Sequence, residues 1–175
     1  MSKLLLPIFF VVFCGCFLSF TKKEAVVFRK DGVEITVPSK WKISKEAEHP
    51  EGYFVSFERK GFGSSGLVTL RWFNNQKDLK SMASNHREQL IGAYQRLKAN
   101  PQMGLVSRGL FKEHPTQEFT YSMSLIGVGH RGGSYFFNAC GKTFNITYQG
   151  ADEDAAKNEE GLTSIPQSFR CQASN

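Results

Sequence analysis

The alternation of apolar and polar residues along the chain predicts a succession of short strands and two helices. Residues 26–29 and 33–37 alternate on either side of Asp31-Gly32, a pair that favours the backbone angles of a tight hairpin turn. Residues 53–58 alternate again, and residues 67–73 give a further strand containing Trp72. The densest pattern is at residues 135–140 and 143–148, two runs rich in Phe and Tyr joined at Gly141-Lys142, as a half-buried sheet surface prefers. Residues 105–111 and 116–127 add two strands, the second leading through the glycine-rich loop 127–133 into residues 134–140. Residues 75–97 carry Leu79, Met82, Ala83, Leu90, Ile91, Tyr94 and Leu97 at spacings of three and four, which predicts a helix with Asp78 near its start and Asn100-Pro101 as its stop. Residues 45–52 are polar and read as a connection ending in the turn Pro50-Glu51-Gly52. After Gly150, Asp152-Glu153-Asp154 places negative charge at the start of a second helix, which Pro166 interrupts or restarts.

The first twenty residues are a different polymer. Lys3 is followed by 17 uncharged residues, 4–20, and then by Lys22, Lys23 and Glu24. That length and flank suit the core of an export signal. Phe13-Cys14-Gly15-Cys16 resembles a bacterial lipobox, in which a small residue precedes a cysteine that is diacylated and becomes the new N-terminus. The lipidated residue would be Cys16, with membrane attachment following from it. An uncleaved signal anchor and ordinary cleavage are the alternatives. Residues 1–22 are accordingly read as signal and tether, and residues 23–175 as a single globular domain of a size that buries a sizeable core.

Compartment bears on the cysteines. With Cys14 discarded and Cys16 acylated, Cys140 and Cys171 remain. In an oxidising periplasm such a pair favours a disulfide, closing a loop of about 32 residues worth about 3–4 kcal/mol in the chain-entropy model. Two unrelated buried thiols are the alternative. The formal charge of +6 is spread along the chain without a block of like charge, so no nucleic-acid partner is expected. A basic face towards anionic headgroups would suit an anchored protein, and a mixed solvated surface is the plainer reading.

Motifs that carry chemistry are scarce. Gly61-Phe62-Gly63-Ser64-Ser65-Gly66 is a literal G-x-G-x-x-G, but a strand follows it, where dinucleotide binding needs a helix N-terminus. It reads as a hairpin loop. His49, His86, His114 and His130 are scattered without metal-ligand spacing, no G-x-S-x-G elbow occurs, and the acidic run 152–154 lacks the alternation of a calcium loop. No catalytic residue, cofactor or metal site is assigned. His130 and Arg131, at the tip of loop 127–133, are the exposed pair best suited to contact an anion or a protein partner, with Trp41 or Trp72 beside them if either is exposed.

The order of elements makes an α+β domain, layered α/β/α on an antiparallel sheet. The run from Asp31 to Trp41, a strand leading into Pro38-x-x-Trp41, resembles the opening of PsbP-like domains. The long amphipathic helix sits where that family has one. The hairpin 135–148 and the terminal run Ile165-Pro166-Gln167-Ser168-Phe169-Arg170 resemble its closing hairpin and its last helix, with Pro166 departing from the family pattern. The resemblance implies about six antiparallel strands between helices, no catalytic activity, and an accessory or protein-binding role. It does not carry over a photosynthetic role.

Three functions are expected in descending order. The first is a non-enzymatic, exported domain attached to the membrane of the cell envelope, in the periplasm or at the surface, that binds a protein partner or an envelope component. The second is a small-ligand carrier with a pocket between sheet and helix lined by Phe54, Trp72, Tyr94 and Phe136. The third is an enzyme using His130 or His114 beside a carboxylate.

Overall fold

The computed structural model describes residues 24–172. The export segment, the lipobox and Cys16 lie outside the described residues. The hairpin of β9 (Val128–Ala139) and β10 (Lys142–Ala151) is central to the fold. Its two-residue turn is Cys140-Gly141, both at positive φ (49° and 75°), the angles whose twist matches that of the flanking strands. From there the pairing runs unbroken from Lys142 opposite Ala139 to Ala151 opposite His130.

The remaining strands extend this hairpin on both sides. On one flank lie β5 (Leu67–Phe73), β4 (Gly52–Arg59) and β3 (Trp41–His49); on the other lie β8 (His114–Leu125) and the short β6 (Gln102–Met103), with β7 (Ser107–Phe111) also paired to β8. The order β3-β4-β5-β10-β9-β8-β6 plus β7 makes an eight-stranded sheet, larger than the expected six. Every pairing in it is antiparallel. The main additional strand is β3, which includes the polar stretch read as a connection. It is an edge strand with only Trp41 buried, so its composition obeys the edge and not a core face: Lys42, Lys45, Glu46 and Glu48 discourage pairing with another chain.

A second, three-stranded sheet joins β1 (Val26–Lys30), β2 (Val33–Val37) and β11 (Arg170–Cys171). It covers one face of the large sheet together with α2 (Ala155–Gln167), which follows a 3₁₀ turn at Asp152–Asp154. The core under them contains Ile35, Phe57, Leu70, Trp72, Phe137, Phe144, Ile146, Ile165 and Phe169. The opposite face is covered by α1 (Leu79–Arg96), whose N-cap Asp78 accepts from the Ser81 amide at 2.7 Å. Its core holds Ala83, Tyr94, Phe119, Tyr121, Met123 and Phe136. Cys140 and Cys171 are joined, Cα to Cα 6.2 Å, tying the central turn to the small sheet. Pro166 does not break α2: it sits in the last turn, buried beside Ile165, and the Ser168 amide still reaches the Ser164 carbonyl.

The loop expected at residues 127–133 is mostly strand. The turn is only Ile126-Gly127, at φ 52° and 79°. Gly132 and Gly133 lie inside β9 for a steric reason: a Cβ on Gly132 would stand 2.5 Å from Cζ of Tyr121, and one on Gly133 2.6 Å from Oη of Tyr148. These glycines make room for tyrosines rather than mobility.

Trp41 sets the position of α2. Its indole is 2% exposed and lies under the helix, where a Cβ on Gly161 would come within 1.9 Å of its Cε2. Replacing Gly161 by Ala is therefore expected to destabilise the domain by about 1–3 kcal/mol in denaturant unfolding, as overpacking does. Helix propensity alone would stabilise it by about 1 kcal/mol, so a stabilised variant would refute this contact.

His86, between α1 and the sheet, lies 3.3 Å from Oγ1 of Thr147 and edge-on to Phe136. Burial, helped by the nearby Arg71 charge, pushes its pKa from the ordinary 6.5 down to about 4. The folded chain thus keeps this imidazole neutral where the unfolded chain protonates it. Its contribution is complete above pH 6.5 and is lost as pH falls towards about 4. The loss is on the order of 3 kcal/mol. Unfolding midpoints of the His86→Gln variant should fall less steeply across this window than those of the parent; parallel slopes would contradict the assignment.

Candidate functional site

A groove of about 1070 Å³ opens on the α2 face of the large sheet. Its floor is formed by Thr120 and Ser122 of β8, Arg131 of β9 and Tyr148 of β10. One wall is α2, presenting Ala155, Ala156, Glu159, Leu162 and Thr163; the other is Gln102 and Met103 of β6 with Gly104. It exists because α2 covers only part of this face, leaving the surface over β8 and β9 open beyond Tyr148. Ala155 and Ala156 are too small to close the gap.

Two anchors hold α2 away from that surface. Trp41 under Gly161 is the first. The second is a polar latch from the glycine-rich loop 61–66. Ser65 Oγ accepts from Asn158 Nδ2 and from the Ala151 amide, each at 3.0 Å, and donates to Asp154 Oδ2 at 3.2 Å. Lys157 Nζ donates to the other oxygen of Asp154 at 2.7 Å, and this bond, with help from Ser65, holds the carboxyl below the usual carboxylate range. Asn158 is fully buried. The G-x-G-x-x-G string thus fixes a helix terminus by side chain, where a nucleotide loop would offer backbone amides to phosphate.

The groove's rim is charged. Arg131 Nε lies 3.0 Å from Asp152 Oδ1, and both side chains are well exposed. Such a pair is worth about 0–1 kcal/mol, so either partner is available to a ligand at little cost. Gly129 leaves space for it, since a Cβ there would be 2.7 Å from Asp152 Oδ2. In the floor, Tyr148 stacks on Tyr135 at 5.6 Å between ring centroids. The groove therefore combines Tyr148 and, on the α2 wall, Leu162 with the hydroxyls of Thr120 and Ser122 and a charged rim, a surface for recognition.

The expected interaction residues are separated by this geometry. Arg131 reaches the groove. His130, its neighbour on a strand, falls on the opposite face of the sheet and is half-buried, because successive strand residues alternate. Neither stands at a loop tip. Trp41 and Trp72 are 2% and 0% exposed and contribute packing, not contact surface. The pocket imagined between Phe54, Trp72, Tyr94 and Phe136 does not form: Trp72 lies in the core under α2, whereas Tyr94 and Phe136 lie in the core under α1. Tyr148, Leu162 and Met103 had no distinguishing signal in the sequence.

Among the described residues no group of three His, Cys, Asp or Glu side chains is placed to hold a metal. His114 does lie 3.5 Å from a carboxylate, that of its neighbour Glu113, but at the β7–β8 turn and stacked on Phe137, away from the groove. Among the described residues no helix is long and apolar enough to cross a membrane.

No protein-family model matches the chain, and comparison with curated proteins finds no similar sequence. Solved structures do resemble it. Cyanobacterial PsbP (CyanoP) from Synechocystis sp. PCC 6803 superposes over 87% of this chain and 95% of its own, with a TM-score of 0.62 and 9% identity. A protein from Bacteroides thetaiotaomicron VPI-5482 matches over 86% of this chain at a TM-score of 0.52 and 9% identity; the present chain spans 49% of it. A point mutant of the protein Mog1 matches over 86% of this chain and 96% of its own, at 0.51 and 6% identity. At such identities the likeness is one of architecture: the domain carries the PsbP fold.

Proposed function

We propose that this chain is a non-catalytic binding module of the cell envelope, and that the groove between α2 and β6 receives an extended segment of a protein partner. The groove carries this reading. At about 1070 Å³ and open along one side, it is at or above the upper end of small-molecule pockets, roughly 300–1,000 Å³. One wall is β6, an edge strand of the large sheet, and the groove runs alongside it with room for an extended segment. Tyr148 in the floor and Leu162 on the α2 wall would take apolar side chains, and Arg131 and Asp152 would hold the partner's polar groups.

Placement at the envelope draws on two further observations. The Cys140–Cys171 disulfide fits an oxidising compartment. The uncharged run 4–20 behind Lys3 suits export, with attachment through acylated Cys16 or through a retained signal anchor. Mass spectrometry of the mature protein recovered from membranes should find the cysteine pair bridged and either diacyl-Cys16 or an intact N-terminus. Recovery from the soluble fraction with free thiols would refute the placement.

The groove is tested by a photoreactive amino acid at Leu162 in living cells, with Gln89 on the outer side of α1 as control. One discrete adduct is expected at position 162, absent at 89 and reduced at least about tenfold by Tyr148→Ala, the loss expected of an interface hot spot. Equal labelling at both positions would dismiss the groove as the contact surface.

A further inference from the structure

The most exposed large apolar side chains among the described residues are Phe62, fully exposed, and Ile126, 95% exposed. Each tops a tight turn with glycine beside it: Gly61-Phe62-Gly63 between β4 and β5, and Ile126-Gly127 between β8 and β9. The sheet register places both at one end. Leu67 lies opposite Gln149, Gln149 opposite Gly132, and Gly132 opposite Tyr121, and the two turns project beyond that row. Three strand spacings separate them, about 14 Å.

The domain's N-terminal strand begins at the same end. Val26 pairs with Val37, and the chain just after Val37 is fastened to the foot of the Phe62 turn: the Lys60 amide donates to the Lys40 carbonyl, and Lys60 Nζ to the Ser39 carbonyl, each at 2.7 Å. Val26 is itself exposed. Only five residues separate Phe20, the end of the apolar run, from Val26, a reach of at most about 20 Å over six chain steps. From Cys16 the reach is at most about 36 Å.

Charge agrees with this placement. Lys40, Lys60, Arg96 and Lys98 stand at this end without a carboxylate partner among the described residues. Of the acids there, Asp152 is held by Arg131, Asp154 by Lys157 and Glu58, opposite Leu67, by Lys42; Glu153 and Glu24 also stand at this end.

We infer that this end of the domain rests on an anionic lipid surface, with Phe62 and Ile126 entering the headgroup region and Lys40 and Lys60 facing the headgroups. The inference rests on the membrane attachment proposed above. Two apolar tips at one end, bordered by lysines and next to a short tether, match what an interfacial contact needs. A tether alone would let the domain tumble; these tips would set its orientation.

The test uses the full chain in nanodiscs of equal parts phosphatidylglycerol and phosphatidylcholine, compared with phosphatidylcholine alone. Amide exchange at residues 61–66 and 125–128 should slow at least about fivefold in the anionic discs. Residues 110–115, at the opposite end of the sheet, should not change. Phe62→Ser with Ile126→Ser should abolish the protection while the protein still floats with the discs. Lys40→Gln should weaken it by about fivefold, the effect of one surface charge. Unchanged exchange at both turns of a chain that floats with the discs overturns the inference and leaves the attachment standing. A chain that does not float with them overturns both.

Discussion

The packing of Trp41 between two glycines is the constraint on which the working surface of this domain depends. The indole is buried at the start of an edge strand, with Gly161 of α2 against one part of the ring and Gly66 against another; a Cβ on Gly66 would be 2.7 Å from its Cη2. A helix can approach a sheet this closely only where a backbone, not a side chain, meets the ring. The approach fixes the line of α2 across the sheet, and that line decides which part of the face is covered and which remains as the groove. The Ser65 latch adds direction: it ties the N-terminal end of α2 to the loop that also contributes Gly66. Trp41 acts on the surface without being part of it.

A sheet covered on both faces explains what the sequence made legible and what it hid. The strong patterns survived, because alternating Val, Leu and Phe in β2, β5 and β10 report the face under α2 directly. The helix α1 was legible from its spacing and the Asp78 cap, and the pair Cys140/Cys171 from compartment reasoning. What alternation cannot reveal is which face of one strand meets which face of another. Trp72 and Phe136 are both aromatic and both buried, yet they belong to opposite cores, and only the pairing of Phe144 with Trp72 and of Asn145 with Phe136 separates them. The same parity divides His130 from Arg131. Two neighbours in a strand cannot form one site on one face.

Edges and glycines account for the other differences. β3 escaped notice because its outward positions are charged for the sake of an unpaired edge, so the strand carries no core pattern beyond Trp41. Glycine density around residues 127–133 reads as a loop, whereas Gly132 and Gly133 are the counterparts of Tyr121 and Tyr148. A glycine that clears a ring and a glycine that opens a turn look identical in sequence; Gly127 is of the second kind, at positive φ with open space around it. The groove was least legible of all, since Tyr148 and Leu162 are ordinary core types left half-covered by the line of a helix.

The loop 61–66 divides its work by position. Its C-terminal part faces inward: Ser64 donates to the Arg59 carbonyl at 2.5 Å, Ser65 carries the latch, and Gly66 is pressed against Trp41 and Asn158. Its tip faces outward, with Gly61 and Gly63 at positive φ and nothing near them. A short loop with one half bonded and the other free holds Phe62 at a defined height without lending it support. The bonded half, not the tip, is what reaches the N-terminal end of α2, the wall of the groove.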